Sequence, residues 1–259
     1  MFLSEPNRTD YDLSFSLFGF PVRVHPAFFI MPIMLGQGLV SDSVNTGVGL
    51  VVVIAIFFVS ILVHELGHAV AFRYYGLPSR IVLYWMGGLA IPDSGNPWGR
   101  QTKGALTPNQ QIVISFAGPA FGFLLAGLLV VVTYLLGGHV VINDLNILPF
   151  PQPVLAGTIL EGSSIASMVF FSGVVLNIFL NLLNLVPIFP LDGGQIARQM
   201  MVQMDSFNGV KHSIILSIAC AILIAVFFFT RQESLMAFFF GFMAWSNYQS
   251  LQQQSGPRW

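Results

Sequence analysis

The chain contains six stretches of almost unbroken apolar residues, more than a folded chain of this size can hide from water. They run near Ala27–Val40, Gly47–Tyr74, Gln111–Leu136, Ile165–Val186, Ile214–Thr230 and Leu235–Tyr248. A helix crosses a bilayer with about 20 mainly apolar residues. The first stretch is short and holds Pro32, and the last is also short. Of the 259 residues, 55% are hydrophobic and only 8% charged, whereas soluble domains carry about 25% charged residues. The expected solvent is therefore lipid. The expected fold is an all-α polytopic membrane protein of about six transmembrane helices, with a small membrane-associated β-hairpin or strand element.

Charge distribution gives this reading an orientation. With the N-terminus cytoplasmic, Arg8, Arg23, Arg73, Arg80, Arg100, Lys103, Arg198, Lys211 and Arg258 fall inside, and only Arg231 falls outside. That segregation follows the positive-inside rule, and dropping a span scrambles it. Both termini are then cytoplasmic, with residues 1–26 before the spans, 27–248 forming the core and 249–259 a tail. The net charge of −1 offers no basic field for nucleic acid. The single cysteine, Cys220, lies in an apolar run, so neither an internal disulfide nor a thiolate metal site is available. Residues 1–26 lack the apolar core and small-residue cleavage site of a signal peptide, and the mature chain is expected to start near Met1. The loops Asp93–Pro108 and Gly137–Ser164 are too short for an accessory domain, which leaves a single membrane domain. Pro149, Pro151 and Pro153 predict irregular structure in the second loop.

Two segments depart from helix. Leu13, Phe15 and Leu17 alternate with Ser14 and Ser16, a Gly19-Phe20-Pro21 turn follows, and Val22-Arg23-Val24 completes a β-hairpin pattern. Arg80–Ile91 is apolar, broken by Gly87-Gly88, and reads as one strand or a re-entrant stretch. Lipid-exposed strand edges are forbidden, so these pieces pair or line a cavity; interfacial loops are the alternative.

Glu65 and Asp192 are the acids set within or against strongly apolar spans, and His64 and His68 the histidines well inside one. Ionisable groups at membrane depth are costly and are usually kept for function. His64 and His68 are four apart, so on a helix both imidazoles share a face at a spacing suited to one metal. Glu65, beside the first, points aside from the metal but reaches a water bound there. A tetrahedral catalytic zinc takes three protein ligands and keeps one open position, and Asp192 is the candidate for the third. The charge count places both clusters in the cytoplasmic half of their spans. A buried polar network between helices is the bland alternative.

These residues carry a resemblance. The chain resembles the site-2 protease family of intramembrane zinc metalloproteases through His64-Glu65-Leu66-Gly67-His68 and the stretch from Asn184 through Pro187, Pro190 and Asp192 to Gly194. Phe116-Ala117-Gly118-Pro119-Ala120, the Gly87-Gly88 segment and Val22-Arg23-Val24-His25 add to it, and the last looks like compact prokaryotic members. The resemblance implies His64, His68 and Asp192 as ligands of one Zn2+, Glu65 as general base and Asn184 as a stabiliser of the oxyanion. Asn184 otherwise bonds between helices together with Asn177 and Asn181. The family often has an asparagine shortly after the Gly-Pro pair; here Ala120-Phe121-Gly122-Phe123 follows, so that role is absent or moved. No PDZ or CBS domain is expected within these residues.

The implied activity is hydrolysis of peptide bonds in or near transmembrane segments, as in regulated intramembrane proteolysis. A zinc ion in such a site activates water at neutral pH, and Glu65 is placed to take its proton and pass it to the leaving amine. Water must arrive from the cytoplasmic side. An unwound substrate strand can pair with the Arg80–Ile91 edge, with Gly87 and Gly88 permitting close approach; otherwise those glycines only make a bend. Partners are a transmembrane protein or peptide substrate, the lipid bilayer and a regulatory membrane protein, in a bacterial cell membrane. His25, His139 and His212 read as interfacial or surface residues, and Met200, Met201 and Met204 as packing on a helix after Asp192. A metal transporter using the same cluster needs further ligands along a path, and the spans offer almost none. A dead scaffold predicts damage to the motif, which is intact.

Overall fold

The computed structural model describes residues 5–36, 45–85, 87–92, 106–136, 139–143, 152–156 and 164–255. The end of the first apolar stretch, most of Asp93–Pro108 with Arg100 and Lys103, and Arg258 lie outside these residues. The chain divides into two compact units, Leu3–Thr102 with Ala120–Asn181, and Lys103–Pro119 with Leu182–Trp259.

The first unit opens with the expected hairpin, β1 (Leu13–Leu17) and β2 (Phe20–Val24), paired antiparallel from Leu13 opposite Val24 to Leu17 opposite Phe20. Its turn is Phe18-Gly19 and not Gly19-Phe20-Pro21. Both turn residues have positive φ, 50° and 77°. Two such residues make the tight turn that matches strand twist, and glycine at the second makes it cheap. A 3-10 turn, Pro26–Phe29, leads into α1 (Ile30–Gly36). Then comes α2 (Thr46–Tyr74), capped by the Asn45 side chain, which accepts from Gly47 N–H at 3.0 Å. Its other end closes with Gly76 at φ 81°, while Gly76 N–H donates to Arg73 and Leu77 N–H to Phe72, a paired arrangement that satisfies the last carbonyls.

Arg80–Ile91 is two strands and not one. β3 (Ser79–Tyr84) and β4 (Gly87–Pro92) pair antiparallel, with Tyr84 opposite Gly87. The glycines follow a tight turn, and Gly87 takes φ 114°, a conformation that side chains disfavour. β3 also lies parallel to β2, Val22 beside Ile81 and Val24 beside Leu83. A parallel pair needs a crossover, and here the crossover contains α1 and α2. The sheet order is β1-β2-β3-β4. The hairpin and the glycine segment, far apart in sequence, are thus halves of one sheet. Its inner face, Phe20, Val22, Val24, Ile81 and Leu83, packs in one core with Phe57, Ile61, Leu62, Leu66 and Ala69 of α2.

The sheet is fastened to its surroundings. Arg73, near the end of α2, donates to Phe18 O at 3.0 Å and lies over the Phe20 ring at 3.4 Å. On the outer face, buried Arg23 donates to Asp12 at 2.8 Å, Glu5 at 2.9 Å and Pro6 O at 2.9 Å. Arg80 reaches the other Glu5 oxygen at 2.7 Å.

Within the expected outer loop, β5 (His139–Asn143) and β6 (Gln152–Ala156) form an antiparallel pair. Pro153 sits inside β6, against the expectation of irregular structure. In a two-stranded sheet each strand has an open edge, where a missing N–H costs no ladder bond.

The remaining elements are α3 (Pro108–Leu135), α4 (Ser164–Asn184), α5 (Asp192–Met204), α6 (Gly209–Thr230) and α7 (Ser234–Ser255). Among the described residues α2, α3 and α6 are long and apolar enough to cross a membrane, and Met168–Asn184 is a shorter apolar segment of α4. The chain is thus mainly helical with a small sheet. α7 continues through the polar Gln249–Ser255, because no glycine or proline interrupts it before Gly256-Pro257. On α5, Met200 and Met204 are exposed among the described residues, against the expectation of packing, while Met201 is half-buried.

Candidate metal centre

From Ser60 to Ala69, α2 is buried on nearly every side. Inside that stretch His64, Glu65 and His68 bring their donor atoms within 4.8 Å of one another. The two Nε2 atoms face each other at 3.1 Å, with ring planes 77° apart. Bonds of about 2.0–2.1 Å from a tetrahedral zinc place two nitrogens roughly 3.3 Å apart. The pair thus fits two cis positions on one such ion.

The far side of His64 is equally determined. Its Nδ1 lies 2.7 Å from Asn181 Oδ1 on α4. Asn181 Nδ2 donates to the Asn177 carbonyl, and Asn177 Nδ2 donates to Gly173 O at 2.7 Å and to Ser60 Oγ at 2.8 Å. Ser60 is one turn before His64 on α2, so the relay begins and ends on the same helix. Asn177 and Asn181 are almost fully buried. On α3 the small side of Gly122 admits Asn181, since a Cβ there would overlap its amide. The space after the Gly-Pro pair is filled by an asparagine from α4.

β4 covers Glu65. A Cβ on Gly88 would fall 2.6 Å from Glu65 Oε1. Gly88 therefore makes room for the carboxylate. Gly87 has open space around it and is set by its φ. Among the described residues the outer edge of β4 pairs with no other strand.

In the second unit Asp192 is the first residue of α5, after a bend from Leu185 to Leu191. Gly193 and Gly194 are buried, and a Cβ on either would overlap the backbone of that bend. The bend is pinned at Phe189, whose N–H donates to Ser217 Oγ on α6 at 3.0 Å and whose carbonyl accepts from Asn247 on α7 at 2.7 Å. Asn184, the last residue of α4, is half-buried. Ser60, Ser217 and Asn247 carry no motif in the sequence, and Asn177 and Asn181 read there only as contacts between helices. The available signal was a polar side chain buried in an apolar helix, repeated at i and i+4 for the asparagines.

The sequence profile of peptidase family M50 matches residues 52–226. The chain belongs to peptidase family M50. That range takes in the histidine pair, Glu65, the Gly87-Gly88 strand and Asp192. Within the family it is similar to a zinc metalloprotease of Methanocaldococcus jannaschii, 25% identical over 189 residues. It is also similar to a Synechocystis protein whose assignment as a zinc metalloprotease is provisional, 29% identical over 202 residues. The alignments cover 72% and 73% of this chain but 44% of each relative, so the chain spans less than half their length. The fold is similar to that of the site-2 protease from Methanocaldococcus jannaschii, with a TM-score of 0.55 and 24% identity over 93% of this chain and 95% of that one.

Proposed function

We propose that this M50 member is an intramembrane zinc endopeptidase that cleaves peptide bonds in or near transmembrane segments of membrane proteins, as in regulated intramembrane proteolysis. The observation that carries this reading is the histidine pair, Nε2 to Nε2 at 3.1 Å, with Glu65 buried beside it. His64 and His68 hold one Zn2+ per chain, and Asp192 supplies the third ligand. The ion provides Lewis-acid activation of water. Glu65 accepts the proton from that water and returns it to the leaving amine. Asn184 donates to the developing oxyanion.

The chain acts as one catalytic domain with six spans, both termini in the cytoplasm and water reaching the site from that side, in a bacterial membrane. A locally unwound substrate adds as a strand to the open edge of β4. Gly88 then sets the scissile bond beside the base, and Gly87 shapes the turn before it. Substrate choice rests on the membrane domain or on a regulatory membrane partner. A transport reading requires further metal ligands along a path; among the described residues the His64–Glu65–His68 group is the one cluster with metal-binding spacing.

The test is the full chain, purified in detergent and incubated with a helical transmembrane peptide. Glu65→Gln is expected to retain one zinc per chain and lose at least about 10²-fold in cleavage rate. Normal cleavage by Glu65→Gln sinks the mechanism, and metal flux in sealed vesicles without cleavage favours transport.

A further inference from the structure

We propose that Asn181 is a positioning residue that decides which nitrogen of His64 meets the metal, and that Gly122 is the notch that lets it do so. This rests on the zinc assignment proposed above. Asn181 Nδ2 donates to the Asn177 carbonyl, and a backbone carbonyl only accepts. Turning the amide over would set two acceptor oxygens against each other. Oδ1 therefore faces His64 Nδ1, 2.7 Å away, and Nδ1 must carry the proton. In a neutral imidazole the other nitrogen is then the bare one. Nε2, the atom facing His68, then carries the lone pair that a metal would take.

Three helices build this device. α4 carries the amide, α2 carries the histidine, and α3 supplies the gap. Asn177 fixes the register of the relay, because both of its N–H bonds are used, on Gly173 O and Ser60 Oγ. Partners that orient a ligating histidine are worth about 10–100-fold in metal affinity.

The experiment begins from the zinc-loaded full chain in detergent and titrates a chelator against it, with 15N-labelled histidine reporting the state of each ring nitrogen. Wild type is expected to show His64 with Nδ1–H and a metal-bound Nε2. Asn181→Leu keeps the branching at Cγ but removes the acceptor, and is expected to weaken zinc retention by about 10–100-fold and to lose the Nδ1–H signature. Asn181→Asp, as a neutral buried acid, restores an acceptor toward Nδ1 and an O–H donor toward the Asn177 carbonyl, and is expected to recover both. Gly122→Ala leaves every polar group in place but fills the notch, and is expected to behave like Asn181→Leu. Should Asn181→Leu fold and hold zinc like wild type, the proposal is overturned. It is equally overturned if Asn181→Asp recovers nothing, which reduces the role to packing. If Asn181→Leu does not fold, unchanged zinc retention in Gly122→Ala overturns it. A wild-type chain that binds no zinc defeats the metal assignment itself, an outcome distinct from any of these.

Discussion

The two halves of α2 are equally helical and obey opposite rules. From Thr46 to Val59 the sequence is almost wholly apolar, yet only Gly49, Val53 and Phe57 are buried, one per turn. Val51 and Val59 are exposed on the other faces. From Ser60 onward the sequence turns polar in places, and there burial becomes nearly continuous, including Ser60, His64, Glu65 and His68. Hydrophobicity and burial run in opposite directions along one helix. In water that would be a folding error. In lipid it is expected, because exposed apolar faces cost nothing there and polar groups must find partners inside the protein. The first half is held by its solvent and the second by its neighbours, namely β4, α4 and the sheet.

The sharpest way to break that contrast is to intrude on the second half from the sheet. Gly88→Ala puts a methyl group into the space of the Glu65 side chain. The obstacle is the Glu65 side chain from Cγ outward, which must rotate as a whole, so the carboxylate swings away and the fold survives. A displacement of about 1 Å in a catalytic group can cost 10²-fold. The expected result is a cleavage rate lowered about 10²-fold with zinc content and thermal midpoint unchanged; loss of zinc together with activity would instead show that Gly88 supports the whole centre. Substitution at Gly87 is a poorer probe, since its φ of 114° makes any side chain strained irrespective of substrate.

A smaller effect is expected from the outer fastening of the sheet that covers this half. Glu5 has its pKa lowered, chiefly by the hydrogen bond from Arg80 and also by the charges of Arg80 and Arg23. Asp12 is lowered as well, chiefly by the Thr9 hydroxyl and then by Arg23. A carboxyl group whose pKa falls on folding adds stability above its unfolded value of about 4, and that contribution is lost as pH drops through the folded value. Thermal midpoints in detergent are expected to fall more steeply below pH 4 for the wild type than for Glu5→Gln. Glu5→Gln itself is expected to cost a few degrees at neutral pH, with zinc retention intact. Parallel pH curves for the two proteins would mean that the Arg23–Glu5–Arg80 contacts contribute nothing.

The same contrast explains what could be read without coordinates. Helices announce themselves locally, so the apolar runs at Gly47–Tyr74 and Gln111–Leu136 match α2 and α3 to within a few residues. His64, Glu65 and His68 are legible because helical spacing alone gathers them. Strand partners are not local. Nothing around Arg80 signals that Ile81 lies beside Val22, or that one apolar stretch divides into two paired strands. Gly88 is intelligible only once Glu65 is seen against it, and Asn181 only once His64 and Gly122 are. Asn184 stands out in the sequence because it sits in a recognisable motif, while the asparagine that touches His64 is three residues earlier.

The first half of α2 makes the gentlest prediction. Val51 is 67% exposed on a helix long and apolar enough to span a membrane. If lipid surrounds that face, Val51→Leu exchanges one apolar surface for another against hydrocarbon that is just as apolar. Thermal midpoint and cleavage are both expected to stay within error of the wild type. Ala55→Lys is the informative partner, because Ala55 is exposed and lies deeper in the same half of the helix, and a charge near the middle of a span costs about 2.5–3.5 kcal/mol on insertion scales. It is expected to cut membrane insertion and yield severely while leaving the distant His64–His68 geometry untouched in whatever protein folds. If Ala55→Lys inserts and accumulates like the wild type, that face is not in lipid, and the half of α2 ascribed to its solvent is held by something else.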